Sequence, residues 1–305
     1  MKAIVATGDD RLVRIDEVDA PVVATGELLV EVRATSVNRG ELSRLIASTP
    51  GWRPGWDFAG VVRSSSADGP PPGTQVFGML SAAGSWAEMI AVAESACAVI
   101  PPGLPPLAAA ALPTAGLTAL RLIQLGGPLA GRRVLITGAA GGVGRLVIQL
   151  CRLAGAHVTA QAGSRERATG LSELGACEII VPGESPATGP YDVIFDSVGG
   201  ASLHDSITHA APYGLIVSFG NSAQAASEFS VSEFYPKQLT LRGFHLLEDM
   251  KLRPPAHDLT ELAALVAAGT LSIDVETVYD WTAAAAALAS LGQRTIAGKA
   301  VLRLS

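Results

Sequence analysis

Charge of either sign is scarce in this chain, and positive charge is the scarcer of the two. Only 16% of the 305 residues are charged, and 28 acidic residues outnumber 22 basic ones, which gives a net charge of −6. A protein that binds nucleic acid presents a basic stripe or patch, and an anionic membrane surface attracts clustered Lys and Arg. The composition therefore argues against a nucleic-acid partner and against a membrane partner.

Cysteine is also rare, and no long apolar run stands out. Cys97, Cys151 and Cys177 show no CxxC spacing, and an odd number of cysteines argues against a disulfide framework. We therefore expect a reducing, cytoplasmic location. The N-terminal apolar stretch meets Asp9 and Asp10 at once, unlike a secretory signal. No uninterrupted apolar run of about 18 or more residues occurs, so we expect no membrane-spanning helix.

The pattern of the chain changes twice along its length. Up to about residue 100, short segments rich in Val, Ile and Leu alternate with turn residues, and 64–73 has the composition of an exposed loop. This pattern is typical of an antiparallel β domain. Further along, buried strands alternate with amphipathic helices, as in a doubly wound parallel sheet. We predict a β-rich domain from 1–112 and 270–305, with an α/β domain from 113–269 inserted into it.

Two helices near the C-terminal end complete this prediction. A helix over about 258–268 is expected to close the parallel sheet of the α/β domain. Thr282 is expected to cap a helix that runs to Leu291, followed by a terminal strand over 298–304. The last segment is too short to bury a core alone, so we expect it to rejoin the first domain.

A glycine-rich turn separates the first strand of the α/β domain from its first helix. The turn has the sequence TGAAGGVG over 137–144. Small residues let the backbone approach a pyrophosphate, and the helix N-terminus offers unpaired N–H groups and a partial positive charge. The strand–turn–helix context favours dinucleotide binding, with packing alone as the alternative. The candidate cofactor-binding residues here are Ala139, Ala140, Gly141, Gly142, Val143 and Gly144.

The end of the second strand bears on the choice between NAD and NADP. An NAD site places an Asp or Glu there, against the ribose 2′-hydroxyl, but 161–164 contains no acid. Hydroxyl and guanidinium groups suit a 2′-phosphate. The candidates are Gly163, Ser164, Arg165 and Arg167, on or beside a predicted helix over 165–174. Glu166 weakens this interpretation, and the alternative is that both arginines lie on a solvated helix face.

Taken together, these segments resemble the medium-chain dehydrogenase/reductase superfamily, in its zinc-independent quinone oxidoreductase-like branch. The resemblance covers nearly the whole chain in family order. It rests on SVN over 36–38, PGWDFAGVV over 54–62, TAGLTAL over 114–120, the turn over 138–144, YDVIFDSVGG over 191–200, VSFGN over 217–221 and GKAVL over 298–302.

The resemblance implies a fold, an assembly and a set of site residues. It implies a Rossmann doubly wound parallel sheet inserted into a GroES-like β-rich catalytic domain, and a homodimer joined through an edge strand near 238–244. It places Asn38 and Thr118 near the nicotinamide as the catalytic candidates. Further cofactor-binding candidates follow the carboxyl ends of sheet strands, where doubly wound folds bind ligands. They are Ser197, Val198, Phe219, Gly220, Asn221, Phe244, His245 and Leu246.

The ligands of a catalytic zinc are missing from the positions that the resemblance assigns to them. Zinc-dependent relatives carry a Cys where this chain has Asn38, and a His where it has Trp56, which cannot ligate zinc. No Cys, His or carboxylate occurs over 114–116. We therefore expect no metal.

Without a Lewis acid, the expected chemistry is hydride delivery to an acceptor that is already polarised. The leading interpretation is an NADPH-dependent reductase of a quinone or quinone-like small molecule. The alternative is an enoyl or 2-alkenal reductase, which could tailor a natural product. The third is a non-catalytic NADPH-binding protein, supported by the lack of a tyrosine over 43–55. Trp52 and Trp56 either line the acceptor pocket or belong to the core.

Overall fold

The structure is a computed structural model that describes residues 1–66 and 69–304. The chain divides into two units. The first contains Met1–Leu117 and Met250–Ser305, and the second contains Thr118–Asp249. Of the predicted loop 64–73, Ala67 and Asp68 lie outside the described residues, as does Ser305 at the end of the predicted segment 270–305.

The N-terminal part of the chain forms short strands, one short helix and one long helix. Their bounds are β1 Lys2–Ala6, β2 Val13–Glu17, β3 Glu27–Val37, α1 Arg39–Ile46, β4 Asp57–Ser64, β5 Gln75–Met79, β6 Met89–Ala93, β7 Cys97–Val99 and α2 Pro106–Gly126. The division between the two units falls within α2.

The second unit alternates strands and helices. Their bounds are β8 Arg133–Thr137, α3 Gly142–Leu153, β9 His157–Gln161, α4 Leu171–Leu174, β10 Glu178–Ile180, β11 Tyr191–Asp196, α5 Ala201–His209, β12 Ala210–Ser218, α6 Val231–Phe234, β13 Thr240–Gly243 and α7 Leu246–Asp249. The remaining chain returns to the first unit as α8 Ala256–Ala267, β14 Val275–Asp280, α9 Ala284–Gly292 and β15 Lys299–Arg303.

The first unit is built on a sheet centred on β3. The strand order is β14-β15-β3-β4-β5-β7, with β6 also paired to β3, and a separate β1–β2 ribbon. The pairs of β3 are antiparallel, but β14 and β15 run parallel, so the predicted antiparallel domain is in fact mixed. Buried and half-buried residues alternate along the first part of β3, because successive side chains point to opposite faces. Leu28, Val30, Val32 and Phe58 lie in the resulting core.

The second unit contains a parallel sheet in the order β10-β9-β8-β11-β12-β13. All its pairs are parallel, and this order is that of the Rossmann fold. In α3 the apolar residues Leu146, Val147 and Leu150 are buried, as the 3.6-residue period predicts. The predicted combination of a Rossmann sheet and a GroES-like β-rich unit is confirmed.

Three local predictions are wrong. The segment 165–174 is not one helix, because Gly170 adopts a left-handed φ of 81° and leaves only a 3-10 turn before α4. Helix α8 belongs to the first unit and contacts β7. Its apolar spacing showed that one face is buried, but not against which sheet. Thr282 is not a cap but lies in a 3-10 turn, Trp281–Ala283, that precedes α9, and the N-cap of this turn is Asp280, whose side chain accepts a hydrogen bond from the Thr282 backbone N–H.

Helix α2 bears on the expectation about membranes. It is long and apolar enough to cross a membrane by length and composition, with a mean hydropathy of 1.4, but 67% of its apolar window is buried inside the structure. A buried core helix passes the same test, so α2 is weak evidence for a membrane span.

Candidate active site

The carboxyl ends of adjacent parallel strands bring most of the predicted cofactor residues to one edge of the second unit. The glycine turn follows β8, Ser197 and Val198 follow β11, and 219–221 follows β12. Phe244 follows β13, and its N–H donates to the Ser218 carbonyl oxygen at 2.9 Å. Phe244 is half-buried, His245 is exposed and Leu246 is buried. Ligands of doubly wound folds bind at this edge.

The glycine turn is shaped by close backbone approaches. A Cβ on Gly144 would lie 2.6 Å from Cα and the carbonyl oxygen of Ala139, so only glycine lets α3 start this close to β8. Gly138 has a left-handed φ of 63°, and a Cβ there would meet Ser197 Oγ. The Ala139 N–H donates to the Gln161 carbonyl oxygen at 3.0 Å. The turn is therefore held rigidly between β8, β9 and β11.

The start of α3 has the properties of an anion site. Its N-cap is Gly141, which has no side chain to accept from the first-turn N–H groups. Those N–H groups have no acceptor within the helix, and the helix macrodipole adds a partial positive charge. Gly142 and Val143, in this first turn, are partly exposed, while Ala139 and Ala140 are buried beneath it. The residues present fit a nucleotide diphosphate.

Asp196, at the end of β11, was not among the predicted site residues although it organises this edge. Its buried carboxylate accepts hydrogen bonds from Thr137 Oγ1 at 2.7 Å, Ser202 Oγ at 2.8 Å and the Gly199 N–H at 2.9 Å. The Ser197 N–H and hydroxyl both bond to Thr137. These bonds join the ends of β8 and β11. The sequence pattern that could have identified Asp196 is an acidic residue at the end of an apolar strand.

The loops after β11 and β12 are also in contact. A Cβ on Gly199 would lie 2.6 Å from Asn221 Oδ1, and one on Gly220 would lie 2.9 Å from the Ser197 carbonyl oxygen. The Phe219 N–H donates to the Asp196 carbonyl oxygen at 2.9 Å. The structure thus brings 197–198 and 219–221 together, as the strand order requires.

The 2′-phosphate candidates lie in the loop after β9, but Arg165 already has a partner. Its Nη2 donates to both carboxylate oxygens of Glu184, at 2.5 and 2.6 Å. Ser164 Oγ accepts from the Arg167 N–H at 3.4 Å, and its hydroxyl lowers the pKa of Glu166. Gly163 is exposed and Arg167 is half-buried. No pattern in the sequence indicates that Glu184 engages Arg165.

Asn38 lies in the first unit, at the centre of a buried polar network that the sequence prediction missed. Its Nδ2 donates to Asp57 Oδ2 at 2.9 Å, and its Oδ1 accepts from Lys299 Nζ at 2.5 Å. Lys299 Nζ lies 3.6 Å from Asp57 Oδ2. Asp57 also accepts from the Thr114 N–H at 2.8 Å and from the Ser36 hydroxyl. We call Asn38, Glu41, Asp57 and Lys299 the buried charge cluster.

The strand register explains why the buried charge cluster forms. Val37 at the end of β3 pairs with Ala300 of β15, so Asn38 and Lys299 are neighbours although 261 positions separate them. Asp57 begins β4, which also pairs with β3. Thr118, the other catalytic candidate, is buried in the part of α2 that belongs to the second unit.

Glu41 completes the buried charge cluster. Its two carboxylate oxygens accept from the backbone N–H groups of Asn38 and Trp56, each at 2.7 Å. Burial, and then the negative charge of Asp57, raises the pKa of Glu41 to about 8. Burial also lowers the pKa of Lys299. Three ionisable groups thus share one water-poor environment, in which each is sensitive to the charge of the others.

The raised pKa of Glu41 makes stability depend on pH. The folded chain keeps the Glu41 proton up to about pH 8, whereas the unfolded chain releases it near the ordinary glutamate pKa of 4.5. This contribution is therefore complete below the unfolded pKa and is lost as pH rises to the folded one. In the wild type, Glu41 should make the free energy of unfolding fall by about 1.4 kcal/mol per pH unit between about pH 5 and pH 8. Glu41→Gln should abolish this dependence. Urea denaturation at several pH values checks this, and identical slopes in both proteins would contradict it.

The two tryptophans considered for the acceptor pocket have different environments. Trp52 lines a cavity of about 720 Å³ in the first unit. Trp56 is 7% exposed, and its ring packs on Gly40, where an added Cβ would lie 2.7 Å away. Trp56 therefore belongs to the core beside the buried charge cluster, as the alternative interpretation has it.

A zinc site does not fit the residues present. In the described part of the chain, no group of three or more His, Cys, Asp or Glu side chains is placed to hold a metal ion. At the positions that the resemblance compares with zinc ligands, Asn38 is bonded to Asp57 and Lys299, and Trp56 is packed on Gly40.

Comparison with known proteins identifies the family. A family model described as zinc-binding dehydrogenase matches residues 174–302. The chain is 31% identical to a chloroplastic quinone-oxidoreductase homolog of Spinacia oleracea, over 76% of this chain and 78% of that protein. It is 33% identical to the spectinabilin polyketide synthase system protein NorB of Streptomyces orinoci, over 94% of this chain and 14% of that protein. The chain thus spans about a seventh of that polyketide synthase.

A solved structure extends the likeness to the fold. The Escherichia coli quinone oxidoreductase, determined in complex with NADPH, matches over 100% of both chains with a TM-score of 0.89 and 23% identity. The chain belongs to the medium-chain dehydrogenase/reductase superfamily, in its quinone oxidoreductase-like branch, which is a family of oxidoreductases.

Proposed function

We propose that this protein uses NADPH to reduce a quinone or a quinone-like small molecule without a metal ion. The observation that carries the proposal is the glycine turn. Gly144 allows α3 to start against Ala139, and Gly141 leaves the first-turn N–H groups without a side-chain cap. This arrangement suits a diphosphate at the carboxyl edge of the parallel sheet. The 31% identity to a quinone-oxidoreductase homolog supports the acceptor class.

Bound NADPH would supply the hydride. The turn over 138–144 holds the diphosphate, and the rigid loops after β11 and β12 form the floor of the nucleotide site. Asn38 and Thr118 stay the proposed residues at the reacting end. Asp57 and Lys299 engage both polar atoms of the Asn38 side chain. The amide is therefore held in one orientation, and Asn38 is not the proton donor. Hydride and a proton from water together convert a quinone into its hydroquinone.

Reduction of an α,β-unsaturated carbonyl is the second candidate. The observation in its favour is the match to polyketide synthases along 94% of this chain, including the erythronolide synthase EryA2 of Saccharopolyspora erythraea at 31% identity. Hydride transfer from NADPH to an enone has the same geometry and also needs no metal. A tailoring role on a natural product would follow.

NADPH oxidation with a panel of quinones and enones tests both candidates. Turnover with quinones alone supports the first, and turnover with enones alone supports the second. NADPH binding without turnover on any acceptor would favour the third interpretation, a non-catalytic nucleotide-binding protein. No affinity for NADPH or NADH would reject all three.

Arg165 provides a test of the preference for NADPH over NADH. Its contact with Glu184 lies at the surface, with side chains 57% and 38% exposed, so solvent screens the pair and a phosphate can displace the carboxylate. Arg165→Ala should raise KM for NADPH about tenfold and leave KM for NADH unchanged. Glu184→Gln is the matched variant and should lower KM for NADPH slightly. Equal effects on both nucleotides would reject the 2′-phosphate assignment.

We also propose a cytoplasmic homodimer. Strand β13 forms one edge of the parallel sheet, and all its residues are exposed. Leu241 in β13 is an exposed apolar side chain, and Tyr213, Phe229, Val231 and Tyr235 are further exposed apolar side chains of the second unit. An open strand edge with apolar neighbours is a surface that a second copy can cover. Sedimentation velocity at several concentrations measures the assembly, and a monomer at all of them would reject it.

A further inference from the structure

The cavity that Trp52 lines has mainly apolar walls. It measures about 720 Å³, within the usual range for small-molecule sites. Its apolar walls include Trp52, Leu80, Met250 and three prolines, Pro21, Pro254 and Pro255. All of these residues belong to the first unit. The cavity can therefore cover the apolar body of a small molecule.

One wall carries an arginine that lacks a hydrogen-bond partner for its inner donor. Arg53 lines the cavity, and its Nε is buried without a hydrogen-bond partner among the residues that the structure describes. The guanidinium stays charged at all ordinary pH values and can only donate. A buried donor without an acceptor costs free energy, and burial lowers the pKa of Arg53. The same guanidinium has further N–H donors, and because Arg53 lines the cavity a bound ligand can engage them.

The backbone beside Arg53 is firmly held. The Gly51 N–H donates to the Ala6 carbonyl oxygen at 2.9 Å, and the Trp52 carbonyl oxygen accepts from the Ala6 N–H at 2.7 Å. The Arg44 guanidinium lies 5.7 Å from the centroid of the Trp52 ring, on which it stacks as a cation–π contact. Because the segment is pinned to β1, Arg53 is presented at the cavity wall without the entropy cost of ordering a loop.

The charges around the cavity favour an anion. Lys251 also lines it, and Glu27 is the carboxylate among the described lining residues. Glu27 Oε2 accepts from the Ala24 N–H at 2.9 Å, so part of its capacity to accept is already used. Arg53 thus brings a permanent positive charge to a largely apolar surface. This combination recognises an amphipathic anion rather than a neutral molecule.

We propose that the cavity binds an anionic group carried by the acceptor, a carboxylate or a phosphate at the end of an apolar body, with Arg53 as its anchor. The link to the acceptor rests on the proposed function, whereas the anion site itself does not. Arg53 is then a specificity residue, because its planar donors suit paired oxygens. A free acid and a phosphate-bearing thioester would use the same chemistry.

Binding of non-reducible probes tests the site without turnover. Isothermal titration of the full chain with octanoate, octyl phosphate and the neutral octanamide separates the two sources of the anion. Wild type should bind at least one of the two anions about tenfold or more tightly than octanamide. The tighter anion identifies the group. Equal binding of octanamide, or no binding of either anion, would overturn the proposal.

Variants show whether Arg53 is responsible. Arg53→Met should abolish the preference for the anion, and Arg53→Lys should keep part of it, since charge remains but the planar fork is lost. Arg63→Met removes the same charge from an exposed pair with Glu31 outside the cavity, and should leave the preference intact. A preference that survives Arg53→Met overturns the proposal. Because no NADPH is present, anion binding without any reductase activity would count against the proposed function alone.

Discussion

Lys299→Met should lower the free energy of unfolding by about 3 kcal/mol or more, because it leaves the Asp57 carboxylate buried without its cation. Lys299 and Asp57 are 4% and 0% exposed, and their charged atoms lie 3.6 Å apart. Removing one partner of a buried pair is strongly destabilising, whereas replacing both partners by uncharged groups costs much less. The hydrogen bonds from Thr114, Ser36 and Asn38 to Asp57 limit the loss but do not replace a charge.

The same variant should also disturb Asn38. Lys299 Nζ donates to Asn38 Oδ1, and without that donor the amide is held only through Nδ2. We therefore expect a lower kcat in the protein that remains folded, with KM for NADPH little changed.

Urea denaturation measures the free energy of unfolding of each variant. The double variant Lys299→Met/Asp57→Asn should recover a large part of the lost stability, because neither buried position then carries a net charge. Arg14→Met breaks an exposed pair with Asp16, with side chains 51% and 45% exposed, and should lower the free energy of unfolding far less than Lys299→Met does, because solvent screens the pair. If Lys299→Met and Arg14→Met lowered the free energy of unfolding equally, the buried pair would contribute no more to stability than the exposed one.

Gly144→Ala should weaken NADPH binding about 100-fold and destabilise the second unit by about 1–3 kcal/mol. Gly144 lies inside α3, where alanine normally stabilises a helix by about 1 kcal/mol. Here the added Cβ would lie 2.6 Å from backbone atoms of Ala139, which cannot move aside as a side-chain tip can. Helix α3 must shift away from β8, and its N–H groups move with it.

Gly292→Ala is the matched control for Gly144→Ala. Gly292 ends α9 in the first unit, and a Cβ there would contact only Leu42 Cδ2, at an ordinary 3.5 Å. The substitution should leave NADPH affinity unchanged and stability equal or slightly higher. NADPH fluorescence titration and thermal melting measure both effects. If Gly144→Ala binds NADPH with wild-type affinity, the assignment of the diphosphate to this turn is wrong.

Much of the fold could be predicted from the sequence, because the patterns that indicate strands, helices and turns are local. The alternation of strands with amphipathic helices predicts the parallel sheet, and the small residues of 138–144 predict the tight turn that the structure has. Gly170 interrupts the predicted helix over 165–174 because one residue with positive φ is enough to end a helical run. The period of α8 shows which of its faces is buried, but not the strand that it contacts.

The parts of the candidate site that were missed depend on contacts between distant residues. Asn38 can be named from a resemblance, but its partner Lys299 is 261 positions away and is brought near by the β3–β15 register. Glu184 engages Arg165, and a 3-10 turn and a short helix separate them along the chain. The unsatisfied Nε of Arg53 is invisible in a sequence, because a missing partner is a property of three-dimensional packing.

The pairing of β15 with β3 has a consequence for how the chain matures during synthesis. Residues 118–249 contain a complete parallel sheet and are translated before β15, so they can fold while the ribosome is still working. Asp57 is translated long before Lys299, so the earlier strands lack the cation of this buried pair until β15 is made. Until Lys299 is made, water has access to Asp57, and a ribosome stalled before residue 299 would hold a folded second unit and an incomplete sheet in the first unit.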